Sequence, residues 1–248
     1  MPTIDDLARR LWRRRPVAAP YIIGLTGGVA CGKSTLAASL AERFSNLYDG
    51  LTVERVGTDG FLYPNAVLAG RGVLDRKGFP ETYDRAGLLA ALDQVRAGMA
   101  AFPGYSHTLY DIDPALSRTL ERPDILLVEG LGLDASVPFD SLIYLDARRS
   151  DQEAWYVARF IDFCGQARDD DQSFYARFRH LDSEAVRRLA AQVWFQVNLP
   201  NLRAHIEPVR RLADLVVRKR SDHSISSIRG CRSPGSRLTD GRPPPSHR

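Results

Sequence analysis

Residues Gly27-Gly28-Val29-Ala30-Cys31-Gly32-Lys33-Ser34 carry the spacing G-x-x-x-x-G-K-[ST], with Thr35 following. Such a run wraps backbone N–H groups and a helix N-terminus around phosphate oxygens, and its glycines let the backbone approach closely. In that arrangement Lys33 reaches the β- and γ-phosphates, and the Ser34 hydroxyl is a ligand for Mg²⁺. Two acids could give the loop a reaction. Glu129 ends the apolar run Ile125-Leu126-Leu127-Val128, a place where a carboxylate holds a metal ion or its water. Asp59, in Thr58-Asp59-Gly60-Phe61, could accept the proton of a hydroxyl attacking a γ-phosphate. The competing reading of Asp59 is an Asp-Gly turn, and the local residues leave the two open.

These side chains need strands and helices to position them. Tyr21-Ile22-Ile23-Gly24-Leu25 is a short apolar run ending in the glycine-rich turn, and Leu36, Ala37, Leu40 and Phe44 then recur at helical spacing. The loop therefore joins a buried strand to a helix. Further strands are expected at Val53–Thr58, Ile125–Glu129, Leu142–Asp146 and Leu215–Arg218. Asp84 and Asp182 read as N-caps of helices carrying Leu88, Leu92 and Val95, and Val186, Ala190 and Trp194. The alternation predicts an α/β fold, a mainly parallel five-stranded sheet with helices on both faces. Its carboxyl ends would face a ligand crevice.

The net charge of +4 comes wholly from residues 224–248, where five arginines face Asp240 alone. The body of the chain is formally neutral, so the balance gives no case for nucleic-acid binding. Arg9, Arg10, Arg13, Arg14 and Arg15 read as a solvated helix face. No apolar run is long enough to span a bilayer. Cys31, Cys164 and Cys231 lack metal-ligand spacing, and no leader-like segment precedes them, which points to a reduced, cytoplasmic protein. The organisation expected is a helical, basic segment over 1–20, one domain over 21–223 and a disordered basic tail over 224–248, whose Ser, Arg, Gly and Pro offer little core.

Several longer segments carry a family resemblance. They are the phosphate loop, 58–65 (TDGFLYPN), 76–84 (RKGFPETYD), 105–111 (YSHTLYD), Pro123–Leu131, 155–160 (WYVARF) and Asn198 to His223. In this order, over roughly residues 20–223, the chain resembles the type I pantothenate kinases of the P-loop kinase superfamily. The resemblance implies ATP- and Mg²⁺-dependent phosphorylation of the terminal hydroxyl of pantothenate, the first step of coenzyme A synthesis. It implies that Asp59 is the base and that Tyr105, His107, Tyr110, Tyr156, Arg159 and Asn198 line the pantothenate pocket. Phe160 and Phe163 would form its apolar wall, His223 would lie near adenine, and Arg159 would also serve the transferring phosphoryl group. A homodimer is implied as well.

Read from the residues alone, Tyr156, Phe160 and Phe163 form one helix face that suits a core as well as a pocket. His107 suits a structural role, and Arg159 could pair with Asp162. The chain departs from the family in having only 20 residues before the first strand, in its short connection from Leu131 to Asp140, and in its tail. Ala38 stands where some members carry an arginine that binds coenzyme A as a feedback inhibitor. Two other functions compete: a related kinase of a nucleoside or sugar phosphate, like uridine kinase or phosphoribulokinase, and a nucleotide-binding regulator without catalysis.

Overall fold

The computed structural model describes residues 2–134 and 136–230. Its core is a sheet whose strands are β1 (Tyr21–Gly27), β2 (Val53–Gly57), β7 (Ile125–Glu129), β8 (Ser141–Asp146), β9 (Leu215–Lys219) and β10 (Ile225–Gly230). The four remaining strands make two small antiparallel pairs, β3 (Met99–Phe102) with β6 (Arg118–Glu121) and, between them in the chain, the hairpin of β4 (Tyr105–Ser106) with β5 (Asp111–Ile112). The sheet order is β10-β9-β8-β1-β7-β2. β1 lies between β8 and β7 and is parallel to both, with Ile23 opposite Leu127 and Ser141.

The five expected strands are present and mutually parallel. The count of five is corrected to six by β10, which runs antiparallel to β9. The same strand moves the start of the expected tail. Ser224 does not begin a disordered segment, because Ile225–Gly230 pairs with β9 and Ile228 is buried at 7% exposure. Its two isoleucines are three residues apart, and the register shift between Ile225 and Ser227 lets both pack against the second core while backbone pairing with β9 holds the edge strand. The rest of the expected tail, 231–248, lies outside the described residues.

Strand alternation separates two cores. Ile22, Leu126, Val128, Leu142, Tyr144 and Val216 face one side, while Ile23, Leu25, Ile125, Leu127, Ile143, Leu145 and Val217 face the other. Helices α1 (Ile4–Trp12) and α2 (Lys33–Leu47) cover the second side, and α4 (Arg85–Ala97) covers the first; a short α3 (Asn65–Gly70) lies between α2 and α4 in the chain. α1 is not a segment apart from the domain, since Leu7, Ala8 and Leu11 are completely buried in the second core. Of the expected arginine face, only Arg9 and Arg10 lie on α1, both exposed; Arg13, Arg14 and Arg15 follow its end at Trp12, with Arg13 and Arg15 exposed and Arg14 half-buried. Thr3 starts α1 with a capping box closed by Asp6.

Asp84 caps α4 by accepting from Gly87 N at 2.9 Å, and Asp182 caps α6 (Ser183–Val193) by accepting from Ala185 N at 2.7 Å. After α6 the helical path continues through π-type turns at Trp194–Asn198 and Leu202–Ile206, with a single turn, α7 (Leu199–Asn201), between them. Helix α5 (Arg149–Gln166) packs against α6 and the 174–178 segment in a third cluster containing Val157, Phe160, Cys164, Tyr175 and Ala190. No helix among the described residues is long and apolar enough to cross a membrane.

Candidate active site

The phosphate loop leaves β1 at its carboxyl end and enters α2 through Gly32, whose φ of 85° only glycine adopts readily. Gly32 offers no side chain to the first-turn amides of α2, so those N–H groups stay available to an anion. Lys33 is buried, and its Nζ donates to the carbonyls of Gly27 at 3.3 Å and Gly28 at 2.9 Å. The ammonium is thereby fixed over the loop it must serve.

Parallel pairing brings the end of β7 beside the end of β1, with Glu129 opposite Leu25. Ser34 Oγ donates to Glu129 Oε1 at 2.7 Å. Burial pushes the Glu129 carboxyl above its ordinary pKa, opposed by Lys33 and by the Ser34 hydrogen bond. Gly130 follows because Thr58 Oγ1 would lie 1.6 Å from a Cβ there. A hydroxyl and a carboxylate side by side suit a hard divalent cation that takes its other oxygens from phosphate and water. Among the described residues no group of three or more His, Cys, Asp or Glu is gathered for a metal.

Asp59 lies in a turn of 3₁₀ helix, Thr58–Phe61, directly after β2. The Asp-Gly turn is also present, since the Leu62 N–H donates to Asp59 O at 3.1 Å. Asp59 Oδ1 accepts from the Tyr83 hydroxyl at 3.4 Å, and the carboxylate lines the same cavity as the loop. That cavity, of about 1800 Å³, joins the phosphate loop from Val29 to Thr35 with Glu129, Asp59 and the acceptor residues named from the sequence. Gly27, Gly28 and Cys31 stand behind its lining.

At one end of the cavity, β4 and β5 form a hairpin that presents Tyr105, His107 and Tyr110. The Tyr105 ring meets His107 edge-on at 5.2 Å, and His107 stacks on Phe163 at 6.3 Å. Burial depresses the pKa of His107, helped by Arg159 and Lys77 and opposed by Asp59. Burial raises Tyr105 strongly and pushes Tyr110 up to about 12, so both are neutral hydrogen-bonding groups at neutral pH.

Helix α5 supplies Tyr156, Arg159, Phe160 and Phe163 from one face. Phe160 is packed in the third core cluster and also lines the cavity. The Arg159 guanidinium lies 5.1 Å from the Phe163 ring centroid, and among the described residues no ion pair joins it to Asp162. Asn198 Nδ2 is buried with no well-formed hydrogen bond, beside the Tyr156 hydroxyl. His223 stacks on Trp155 at 4.2 Å, and Trp155 Nε1 donates to Ser221 O at 3.2 Å.

Reasoning from sequence missed three functional candidates on the cavity wall: Lys77, Lys219 and Trp155. Lys219, at the end of β9, is buried and donates to Cys31 O at 3.1 Å. Lys77 lies under the rings of Tyr105 and Tyr110, 4.9 and 4.5 Å from their centroids. A signal was present in the composition. The chain has three lysines against thirty-one arginines, and all three lysines, 33, 77 and 219, line this cavity.

No family model matches the chain. It is 40% identical over 226 residues to a pantothenate kinase of Streptococcus pneumoniae (strain JJA), covering 87% of this chain and 74% of that one. It is 43% identical over 226 residues to a pantothenate kinase of Leifsonia xyli subsp. xyli, covering 86% and 70%. Among solved structures, the YGR205w protein matches 94% of this chain and 100% of its own with a TM-score of 0.64 at 13% identity. A D-glycerate 3-kinase from Cryptococcus neoformans matches 93% and 99% with a TM-score of 0.62 at 14% identity. Those two likenesses concern the fold: a mostly parallel sheet flanked by helices, as in P-loop kinases. With the sequence matches spanning most of both partners, the chain belongs to the type I bacterial pantothenate kinase family.

Proposed function

We propose that the cavity carries ATP on the phosphate loop and pantothenate under the β4–β5 hairpin, and that the chain transfers the γ-phosphoryl group to the terminal hydroxyl of pantothenate. The observation that carries this reading is the single cavity joining Lys33, Ser34 and Glu129 to Asp59 and to Tyr105, His107 and Tyr110. Pantothenate has a carboxylate, an amide and two hydroxyls on a short skeleton. Arg159 supplies a cation, the tyrosines, His107 and Asn198 supply neutral polar groups, and Phe160 with Phe163 supplies apolar wall.

In the transfer, Asp59 takes the proton of the attacking hydroxyl. The hydroxyl oxygen bonds to the γ-phosphorus, the bond from that phosphorus to the β–γ bridging oxygen breaks, and ADP leaves with the electron pair. Lys33 and the amides at the start of α2 hold the phosphate oxygens, and Arg159 faces the charge that develops. Ser34 and Glu129 would hold Mg²⁺, which supplies charge neutralisation between the β- and γ-phosphates. Trp155 and His223 form the aromatic end where adenine is placed.

The same reading includes a homodimer and coenzyme A as a candidate feedback inhibitor, with Ala38 removing one cation that the inhibitor meets in relatives. The test is ADP release with pantothenate, pantetheine, uridine and ribulose 5-phosphate as acceptors, each with and without coenzyme A. Mg²⁺-dependent turnover confined to pantothenate and its close analogues is expected. A folded protein giving no pantothenate-dependent ADP overturns the reading.

A further inference from the structure

The acceptor hairpin cannot hold its own shape. β4 and β5 are two residues each, and a pair that short has too few ladder bonds to be stable in isolation. The turn between them also contains Tyr110 at φ 56°, a left-handed conformation unfavourable for a bulky residue. Something outside the hairpin must fix it.

Two side chains converge on the Tyr110 carbonyl. Asn65 Nδ2 donates to it at 2.9 Å and Lys77 Nζ at 2.6 Å. Lys77 Nζ also donates to Asn65 Oδ1 at 2.6 Å, which closes a triangle of hydrogen bonds. The backbone N–H of Asn65 donates to Asp111 Oδ1 at 3.0 Å, the residue after Tyr110. Asn65 thus uses its N–H and both ends of its amide on the hairpin and on the lysine that grips it. Asn65 is the first residue of α3, so the hairpin is tied to a helix. Both contacts at 2.6 Å leave the one Lys77 nitrogen, a compact tetrahedral head that the larger planar guanidinium of arginine does not reproduce in shape.

We propose that Asn65 and Lys77 are positioning residues for acceptor recognition: they clamp the Tyr110 carbonyl and so set where Tyr105, His107 and Tyr110 stand over the substrate. The clamp acts on the acceptor end of the cavity and leaves the phosphate loop untouched. This inference rests on the pantothenate reading for its kinetics, and independently on the hairpin's geometry.

The experiment compares Asn65→Ala, Lys77→Met, Lys77→Arg and the Asn65→Ala/Lys77→Met pair with wild type. The Michaelis constant for pantothenate is expected to rise about tenfold or more in each single variant: Asn65→Ala loses the amide's bond to the Tyr110 carbonyl and the ammonium's bond to Asn65 Oδ1, while Lys77→Met and Lys77→Arg lose or distort the ammonium's charge-assisted bonds. The Michaelis constant for ATP should stay within about twofold of wild type, and the double variant should fall well short of the product of the singles. Amide hydrogen exchange is measured on the same proteins. Faster exchange at 105–112 with unchanged exchange at 27–34 is expected. Equal changes in both Michaelis constants, wild-type behaviour of Lys77→Arg, or a hairpin as protected in Asn65→Ala as in wild type would each overturn the clamp. If wild type itself fails to turn over pantothenate, the functional reading falls and the exchange measurement still decides the clamp.

Discussion

The hydroxyl of Ser34 and the carboxylate of Glu129 meet at 2.7 Å although 95 residues separate them in the chain. The parallel pairing of β1 with β7 brings them together. Replacing Glu129 by Gln keeps the shape and one acceptor oxygen but removes the charge. The expected result is a 10- to 100-fold fall, roughly, in turnover or in Mg²⁺ affinity, the usual effect of losing a group that orients a metal site. Titrating Mg²⁺ in a coupled ADP assay measures both.

Asp59 and Lys33 should separate chemistry from binding. Asp59→Asn preserves volume and cannot accept the hydroxyl proton, so kcat should drop about 10²- to 10⁴-fold while ATP still binds. Lys33→Met removes the ammonium held over the loop carbonyls and should weaken ATP binding as well as turnover. Calorimetric titration with a non-hydrolysable ATP analogue distinguishes the two; an Asp59→Asn enzyme with wild-type kcat would exclude Asp59 as base.

Trp155 and His223 stack at 4.2 Å on the cavity wall. Trp155→Ala should raise the Michaelis constant for ATP about tenfold by removing an aromatic face worth roughly 1–2 kcal/mol. The Michaelis constant for pantothenate should hardly move. Steady-state kinetics with each substrate varied in turn checks the split.

Desolvation lowers the pKa of Lys77 to about 8, from 10.5 in the unfolded chain, against the attraction of Asp111 and Asp59. Between those values the unfolded chain holds a proton that the folded chain has released, so raising pH favours the folded state there. Below both values the burial penalty on the ammonium is felt in full. The wild-type melting temperature should therefore rise relative to that of Lys77→Met as pH goes from 8 toward 10.5. Paired thermal melts across that range test the sign.

What the sequence disclosed follows from how local each feature is. The phosphate loop is a contiguous backbone device, and Asp59 and Glu129 sit at strand ends whose apolar runs are plain, so all three were legible. The stripe of Tyr156, Phe160 and Phe163 was legible as a face but not as core or pocket; the structure makes Phe160 both. β10 was not legible because only Ile225 and Ile228 are apolar, and its order comes from pairing with β9. Asn65 and Lys77 lie within segments that carried the family likeness. Their joint hold on the Tyr110 carbonyl depends on a contact 33 to 45 residues away, which no periodicity reports.

The concentration of every lysine at one cavity gives the enzyme an unusual chemical fingerprint. A reagent that acylates primary amines finds three side-chain targets in the chain, all on the wall of the cavity. Lys77, with its pKa lowered to about 8 by burial, holds more free amine at neutral pH than a solvated lysine does. Acylation of side chains would therefore report directly on occupancy, and substrates would shield the protein from inactivation without any tag or engineered handle.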